Sequence, residues 1–349
     1  MSGAAPGAFA DTTIPPVAVT MGEPAGIGGE LILRAWEART LSGLPPFFAV
    51  DDVVRLEATA AAIGLDVPVQ TISRGAEARD VFADALPVLP LDEPLCPPPM
   101  AGTVIPAHGE WVLESIERAV QCVAEGEASS VVTNPIQKQS LYETGFDYPG
   151  HTEYLAALTG SEGAPVMMLV SPQLRVVPVT IHIAVADIAG KLSAAGIVHA
   201  GRIVATALAS DFGVPRPRLA IAALNPHAGE GGTIGREEID IIQPAVETLK
   251  RQGIRVTGPH PADTLFHAEA RTKFDVVLCM YHDQALIPLK TLDFHNGVNC
   301  TLGLSIVRTS PDHGTALDIA GRGIARPDSF MAALKLAADC AARRRMADR

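Results

Sequence analysis

The chain is poor in positive charge: 27 Lys and Arg stand against 39 Asp and Glu, for a formal net charge of -12. Phosphate backbones are held by clustered Lys and Arg, so this balance argues against an extended nucleic-acid surface. The one basic run, Arg343-Arg344-Arg345, reads as a solvated helix end. Aromatic residues make up only 5% of the chain, charged residues 19% and hydrophobic residues 48%, a composition that suits a globular enzyme and not a disordered or fibrous chain. No apolar run approaches the roughly 18 to 20 residues needed to span a bilayer. The five cysteines, Cys96, Cys122, Cys279, Cys300 and Cys340, are scattered and include no C-x-x-C, so neither a disulfide framework nor a thiolate zinc site is expected. Met1 to Pro16 contains no Lys, no Arg and no continuous apolar stretch. It resembles neither a signal nor a transit peptide, and the expectation is a flexible arm on a cytoplasmic protein without membrane or nucleic-acid partners. A P-loop is missing as well: Gly190-Lys191 is followed by Leu192, and Val185 stands where the upstream glycine belongs.

What is present is alternation. Short apolar runs at Val17 to Met21, Phe47 to Val50, Val131 to Thr133, Val166 to Val170, Val176 to Ile181, Leu219 to Leu224 and Val276 to Met280 read as buried strands. Helical patterns lie between or after them at Gly29 to Thr40, Trp111 to Glu125, Ile197 to Ser210, Arg236 to Arg251 and Ser329 to Arg345. Strand and helix in turn predict an α/β fold with largely parallel sheets, and 349 residues leave room for two lobes. The proline-rich stretch Leu86 to Pro106 reads as a surface connection within the first lobe. After Asn134 the histidines, asparagines and glycine-rich loops concentrate, which points the chemistry toward that half.

Gly22-Glu-Pro-Ala-Gly26-Ile-Gly28-Gly29-Glu30 follows a strand and precedes a helix, as a dinucleotide fingerprint does. A G-x-G-x-x-G beginning at Gly26 would need glycine where Leu31 stands. The loop reads either as a tight strand-to-helix turn or as a helix N-terminus open to an anion. A stronger signal is carried by His182, His227 and His282, each placed where an apolar run gives way to a polar loop. Histidines at the ends of parallel strands can meet at one crevice, and three imidazoles suit a divalent cation such as zinc or cobalt with positions open for substrate. Groups able to hold phosphate or carboxylate oxygens are His151 and Thr152 at the start of a helix, Lys290, Asn299 and Arg308.

Together these segments make the chain similar to the 4-hydroxythreonine-4-phosphate dehydrogenase family of vitamin B6 biosynthesis. The resemblance runs from about Val17 to Ala333 and is carried by Met21-Gly-Glu-Pro-Ala-Gly-Ile-Gly28, Gly150-His-Thr-Glu153, Leu224-Asn-Pro-His-Ala-Gly-Glu-Gly-Gly232, Pro261-Ala-Asp-Thr-Leu-Phe266, Met280-Tyr-His-Asp-Gln284 and Arg308-Thr-Ser-Pro-Asp-His-Gly-Thr-Ala316. It implies that His182, His227 and His282 bind a divalent metal (zinc, magnesium or cobalt) and that His151, Thr152, Lys290, Asn299 and Arg308 contact the substrate. It further implies a homodimer whose metal site is shared between subunits, and a two-lobed α/β fold like that of isocitrate and isopropylmalate dehydrogenases, with mostly parallel sheets, flanking helices and no Rossmann domain. On that pattern residues 1–143 with 325–349 form the first lobe and 144–324 the second, with the active site in the cleft. The chain departs from the family's pattern at Glu23, Gly29, Gln137, Ala285 and Ser305, positions that bear on the cofactor rim and on substrate preference.

The activity implied is NAD-dependent (or NADP-dependent) oxidation of 4-phosphooxy-L-threonine to a β-keto acid, which decarboxylates to 3-amino-2-oxopropyl phosphate on the way to pyridoxal 5'-phosphate. Asp263, Asp283 and His151 are the candidates for the general base. D-Threonate or D-erythronate 4-phosphate is the alternative substrate. A metal-dependent aldolase or phosphohydrolase, or a module that only binds a phosphorylated metabolite, would use the same residue types without redox chemistry.

Overall fold

Runs of Val, Ile, Leu and Phe without polar interruption pack best where both faces of a strand are covered, as in parallel sheets sandwiched by helices. In a computed structural model of the chain, which describes residues 14–148 and 150–347, they do so. The arm expected over Met1 to Pro16 lies outside the described residues as far as position 13. The described strands are β1 (Val17–Thr20), β2 (Phe47–Asp51), β3 (Val69–Thr71), β4 (Leu86–Pro90), β5 (Ser130–Val132), β6 (Val166–Val170), β7 (Arg175–Thr180), β8 (Arg218–Ala222), β9 (Arg255–His260), β10 (Val276–Tyr281), β11 (Val298–Leu302) and β12 (Arg308–Pro311). The helices that matter below are α1 (Gly28–Glu37), α2 (Val53–Ile63), α3 (Gly109–Ala124), α4 (Lys138–Glu143), α5 (His151–Leu158), α6 (Ala194–Ser210), α7 (Gln243–Arg251), α8 (His282–Leu292) and α9 (Asp328–Ala347).

The chain divides into two compact units, Met1–Gly163 with Leu304–Arg349, and Ala164–Gly303. In the first, the strands run in the order β3-β4-β2-β1-β5-β12, and each neighbouring pair is parallel. Every residue of β2 is buried, and Phe47, Phe48 and, from α9, Phe330 are fully enclosed. In the second unit the order is β11-β6-β7-β10-β8-β9. There β7, β10, β8 and β9 are parallel, whereas β6 is antiparallel to both β7 and β11. The α/β class with largely parallel sheets is therefore as read from the sequence.

Three expectations change. Leu86–Pro90 is a buried strand and not a connection: Val88 and Leu89 pair with Ala49 and Val50 of β2, and the irregular segment begins only after it. Its prolines hid it, because a missing N–H usually demotes a strand. The helix expected over Arg236 to Arg251 is regular only from Gln243, and Glu238–Ile242 is a π-helical turn. Pro244 has no N–H to bond four residues back, and the wider turn carries Glu238 inward, where its Oε1 accepts from the Leu224 and Asn225 amides at 2.8 and 2.7 Å. Finally, the unit boundaries fall after Gly163 and Gly303, against 143 and 324 expected. Tyr154 and Leu155 of α5, together with Leu304 and Ile306, belong to the apolar cluster of the first unit, with Ile116, Val131 and Phe146. Hydrophobic burial thus places His151, Thr152 and Arg308 in the first unit.

At the start of β8 and β10 a carboxylate staples the second unit. Asp275 accepts from the Arg218 backbone amide (2.7 Å), Nε (3.1 Å) and Nη2 (2.9 Å). Burial alone would raise the Asp275 pKa; the hydrogen bonds and charge of Arg218 outweigh it and hold the group below the usual carboxylate value. A folded pKa below the unfolded one contributes stability above the unfolded value, and this is lost as pH falls through the folded value. Replacing Asp275 by Asn is expected to lower stability at pH 7 and to flatten its decline below about pH 4. Urea unfolding at pH 7 and at pH 3.5 checks this.

Candidate active site

The three histidines lie at the C-terminal edge of the parallel strands of the second unit, where ligands bind in open α/β sheets. The pairing of Thr180 with Tyr281 brings His182, two residues past the first, beside His282, which follows the second. Their ring centroids are 5.8 Å apart. The His282 Nδ1 meets Asp283 Oδ1 at 2.7 Å, which fixes the ring and leaves Nε2 for another partner. Both rings line a cavity of about 190 Å³ with Thr180, Ile188 and Tyr281.

His227 sits in the loop after β8, on the other side of β10. Among the described residues no set of three or more His, Cys, Asp and Glu side chains is close enough to hold a metal ion. The structure thus brings His182, His282 and Asp283 together and leaves His227 apart. Even so, His182 (φ 49°) and His227 (φ 51°) both have left-handed backbone, as do Ala228 and Glu230. Such residues cost about 1–3 kcal/mol each and persist only where the surroundings over-determine them. Here Glu238, buried and bonded to the Leu224 and Asn225 amides, pins the loop, and Asn225 Nδ2 bridges Glu237 and Glu238 at 2.7 and 2.9 Å. Two imidazoles, with one ring nitrogen oriented by a carboxylate, are nitrogen donors that suit a divalent cation as part of a larger ligand set.

The other residues expected from the sequence in this unit are dispersed. Lys290 is on α8, two turns beyond Asp283 and on the same helical face by the seven-residue spacing. Its ammonium stands 5.6 Å from the Phe294 ring centre. Asn299 is on β11, and its Oδ1 is buried without a donor among the described residues. Asp263, in a short 3-10 turn, is exposed.

The first unit carries a second group. Arg308 is 5% exposed, at the head of β12, and its Nε donates to Thr133 Oγ1 at 3.1 Å, with Nη2 on the same oxygen. His151 and Thr152 open α5 behind Gly150. The His151 Nε2 is buried without a partner among the described residues. Burial, then the charges of Arg308 and Lys138, push its pKa well below the usual imidazole value, so the ring is neutral at pH 7. Asn134 is fully buried, with Nδ2 donating to the Thr20 carbonyl at 2.9 Å and Oδ1 without a donor among the described residues. Thr133, Asn134 and Lys138 were missed in the sequence; their one signal is that Thr-Asn-Pro ends the apolar strand β5.

The Gly22 to Gly29 loop is a strand-to-helix turn tied down by distant carbonyls: the Glu23 and Ile27 amides donate to the Pro135 and Thr315 carbonyls at 2.8 and 3.1 Å. A methyl group on Gly22 (φ 68°) would stand 2.6 Å from the Asn134 Cβ. Gly22→Ala is expected to cost more than about 2 kcal/mol, through left-handed strain and overlap together. A fall of several degrees in Tm would show it.

No single helix among the described residues is long and apolar enough to cross a membrane. Among the described residues no cysteine is in a disulfide; Cys122, Cys279, Cys300 and Cys340 are buried and Cys96 is exposed.

Residues 45–337 match the family of pyridoxal phosphate biosynthetic proteins PdxA. The chain is 54% identical over 335 residues to a 4-hydroxythreonine-4-phosphate dehydrogenase of Caulobacter vibrioides, covering 94% of this chain and 98% of that one. It is 52% identical over 331 residues to the protein of that name from Erythrobacter litoralis, covering 94% and 97%. A crystal structure of 4-hydroxythreonine-4-phosphate dehydrogenase from Klebsiella pneumoniae superposes with a TM-score of 0.84 at 38% identity, over 95% of this chain and 99% of that one. With its histidines at the strand ends of one unit and its buried arginine in the other, the chain belongs to the PdxA family of pyridoxal phosphate biosynthetic proteins.

Proposed function

We propose that the chain oxidises 4-phosphooxy-L-threonine with NAD, or with NADP, to a β-keto acid that loses carbon dioxide to give 3-amino-2-oxopropyl phosphate. The observation that carries the metal dependence is the backbone: His182 and His227 are both held at positive φ past the ends of parallel strands, with the His282 ring set by Asp283. These three side chains would hold the cation at a site completed between the subunits of a homodimer. When bound, a divalent cation would supply Lewis acidity at the substrate hydroxyl, and the dinucleotide a hydride acceptor.

The chain's own groups divide the remaining work. Arg308, its fork anchored on Thr133, and Lys290 suit the phosphate and carboxylate, and such anchoring fixes the carbon that delivers hydride. Asn299 offers a buried acceptor to a substrate donor. His151, neutral and with Nε2 open, and Thr152 suit a hydroxyl or carboxyl oxygen. Of the candidate bases, Asp283 is turned onto His282 and serves best by orienting it. Asp263 and His151 are then the groups to take the hydroxyl proton. From the family resemblance we also infer a cytoplasmic homodimer that shares its metal site between subunits.

The test is NADH formation with 4-phosphooxy-threonine beside threonate 4-phosphate, with and without a chelator. Chelator-sensitive reduction favouring the amino acid is expected. A preference for threonate 4-phosphate moves the chain to sugar-acid oxidation, and no NADH from either substrate sinks the redox reading in favour of an aldolase or phosphohydrolase.

A further inference from the structure

Lys138 has no part in the reading above, yet three observations converge on it. It opens α4, five residues beyond Thr133, the anchor of the Arg308 guanidinium. Its side chain lies over the backbone entering α5: a methyl group added at Gly150 would stand 3.4 Å from both Lys138 Cε and Nζ. Its charge, with that of Arg308, acts on the His151 ring, whose Nε2 is buried and has no partner among the described residues. An ammonium, a guanidinium and a neutral imidazole thus gather in the first unit of a chain whose net charge is -12. Glu153 Oε2, 3.6 Å from that same Gly150 methyl position, is the carboxylate at its edge. Two cations beside an uncharged ring leave a positive balance that the single carboxylate of Glu153 does not offset, which favours a further anion there.

We propose that Lys138 is a further substrate-contacting residue, which with Arg308 binds an oxyanion of the substrate beside His151. The proposal rests on the functional reading above, in which the substrate carries both a phosphate and a carboxylate. Lys138 is exposed and would act as a point charge on a flexible stem, closing on the anion after Arg308 has set its orientation.

The experiment uses the full-length enzyme loaded with metal and its Lys138→Gln and Lys138→Arg variants. In the Gln variant the KM for 4-phosphooxy-threonine is expected to rise about 10- to 100-fold, the range of a lost charge-assisted hydrogen bond, with a smaller change in kcat. The Arg variant should recover part of it, and the thermal unfolding of both should match that of the parent. Titration calorimetry with inorganic phosphate and with threonate identifies the anion. Weakened phosphate binding in the Gln variant assigns Lys138 to the phosphoryl group, and weakened threonate binding alone assigns it to the carboxylate. Unchanged affinity for both overturns the proposal. If the parent enzyme forms no NADH the functional reading fails, while these two binding measurements still decide for or against Lys138.

Discussion

Replacement of His282 by alanine is expected to leave the protein folded and to remove both bound metal and turnover. The side chain opens α8 at the sheet edge and is half-buried, so its loss creates little cavity and should not move Tm by more than a few degrees. Its ring nitrogen is oriented by Asp283, and partners of that kind by themselves change metal affinity by about 10- to 100-fold when removed. Loss of the ligand itself should exceed that. The expected result is a fall in kcat/KM of more than about 100-fold, with metal content after dialysis reduced in parallel. Asp283→Asn should fall within the smaller range and be rescued by excess metal. A His282→Ala enzyme with full metal content and full turnover would remove the histidines from the mechanism.

The second large effect is expected at Arg308. The residue is 5% exposed and its guanidinium is already bonded to Thr133, so the fork is oriented before substrate arrives. Truncating one partner of a buried charge pair costs about 2–5 kcal/mol, and Arg308→Ala should lower kcat/KM by about 10² to 10³. Arg308→Lys should recover little, because an ammonium cannot reproduce a planar fork that reaches a side-chain hydroxyl and an anion together. Steady-state kinetics of the two variants decide this. Near-parental activity in the Lys variant would mean that only charge is needed at this position.

The candidate ligands were legible because they are marked by residue type and local position. His182, His227 and His282 each follow an apolar run, and a strand that ends in a polar loop delivers its next side chains to the sheet edge wherever that sheet sits. The glycine loop could not be resolved in the same way. How the Gly22 to Gly29 loop turns depends on where its amides point, and those of Glu23 and Ile27 point to Pro135 and Thr315, more than a hundred and nearly three hundred residues away. Lys138 was invisible for a similar reason, since nothing local ties it to His151.

By itself, then, the sequence determined the α/β class, seven of the strands, the candidate ligands and the family, all of which rest on periodicity, composition or contiguous motifs. Only the tertiary structure decided that Leu86–Pro90 is a strand and that His151 and Arg308 belong to the first unit. Tertiary packing likewise turned Glu238 inward to hold the His227 loop in left-handed backbone. In each case the deciding energy comes from partners distant in the chain, the β2 edge for Leu86–Pro90, the apolar cluster around Phe146 for α5, and the loop amides for Glu238. Such contacts override local propensity because burial and satisfied backbone hydrogen bonds are worth more than the few tenths of a kcal/mol by which most residues prefer one conformation.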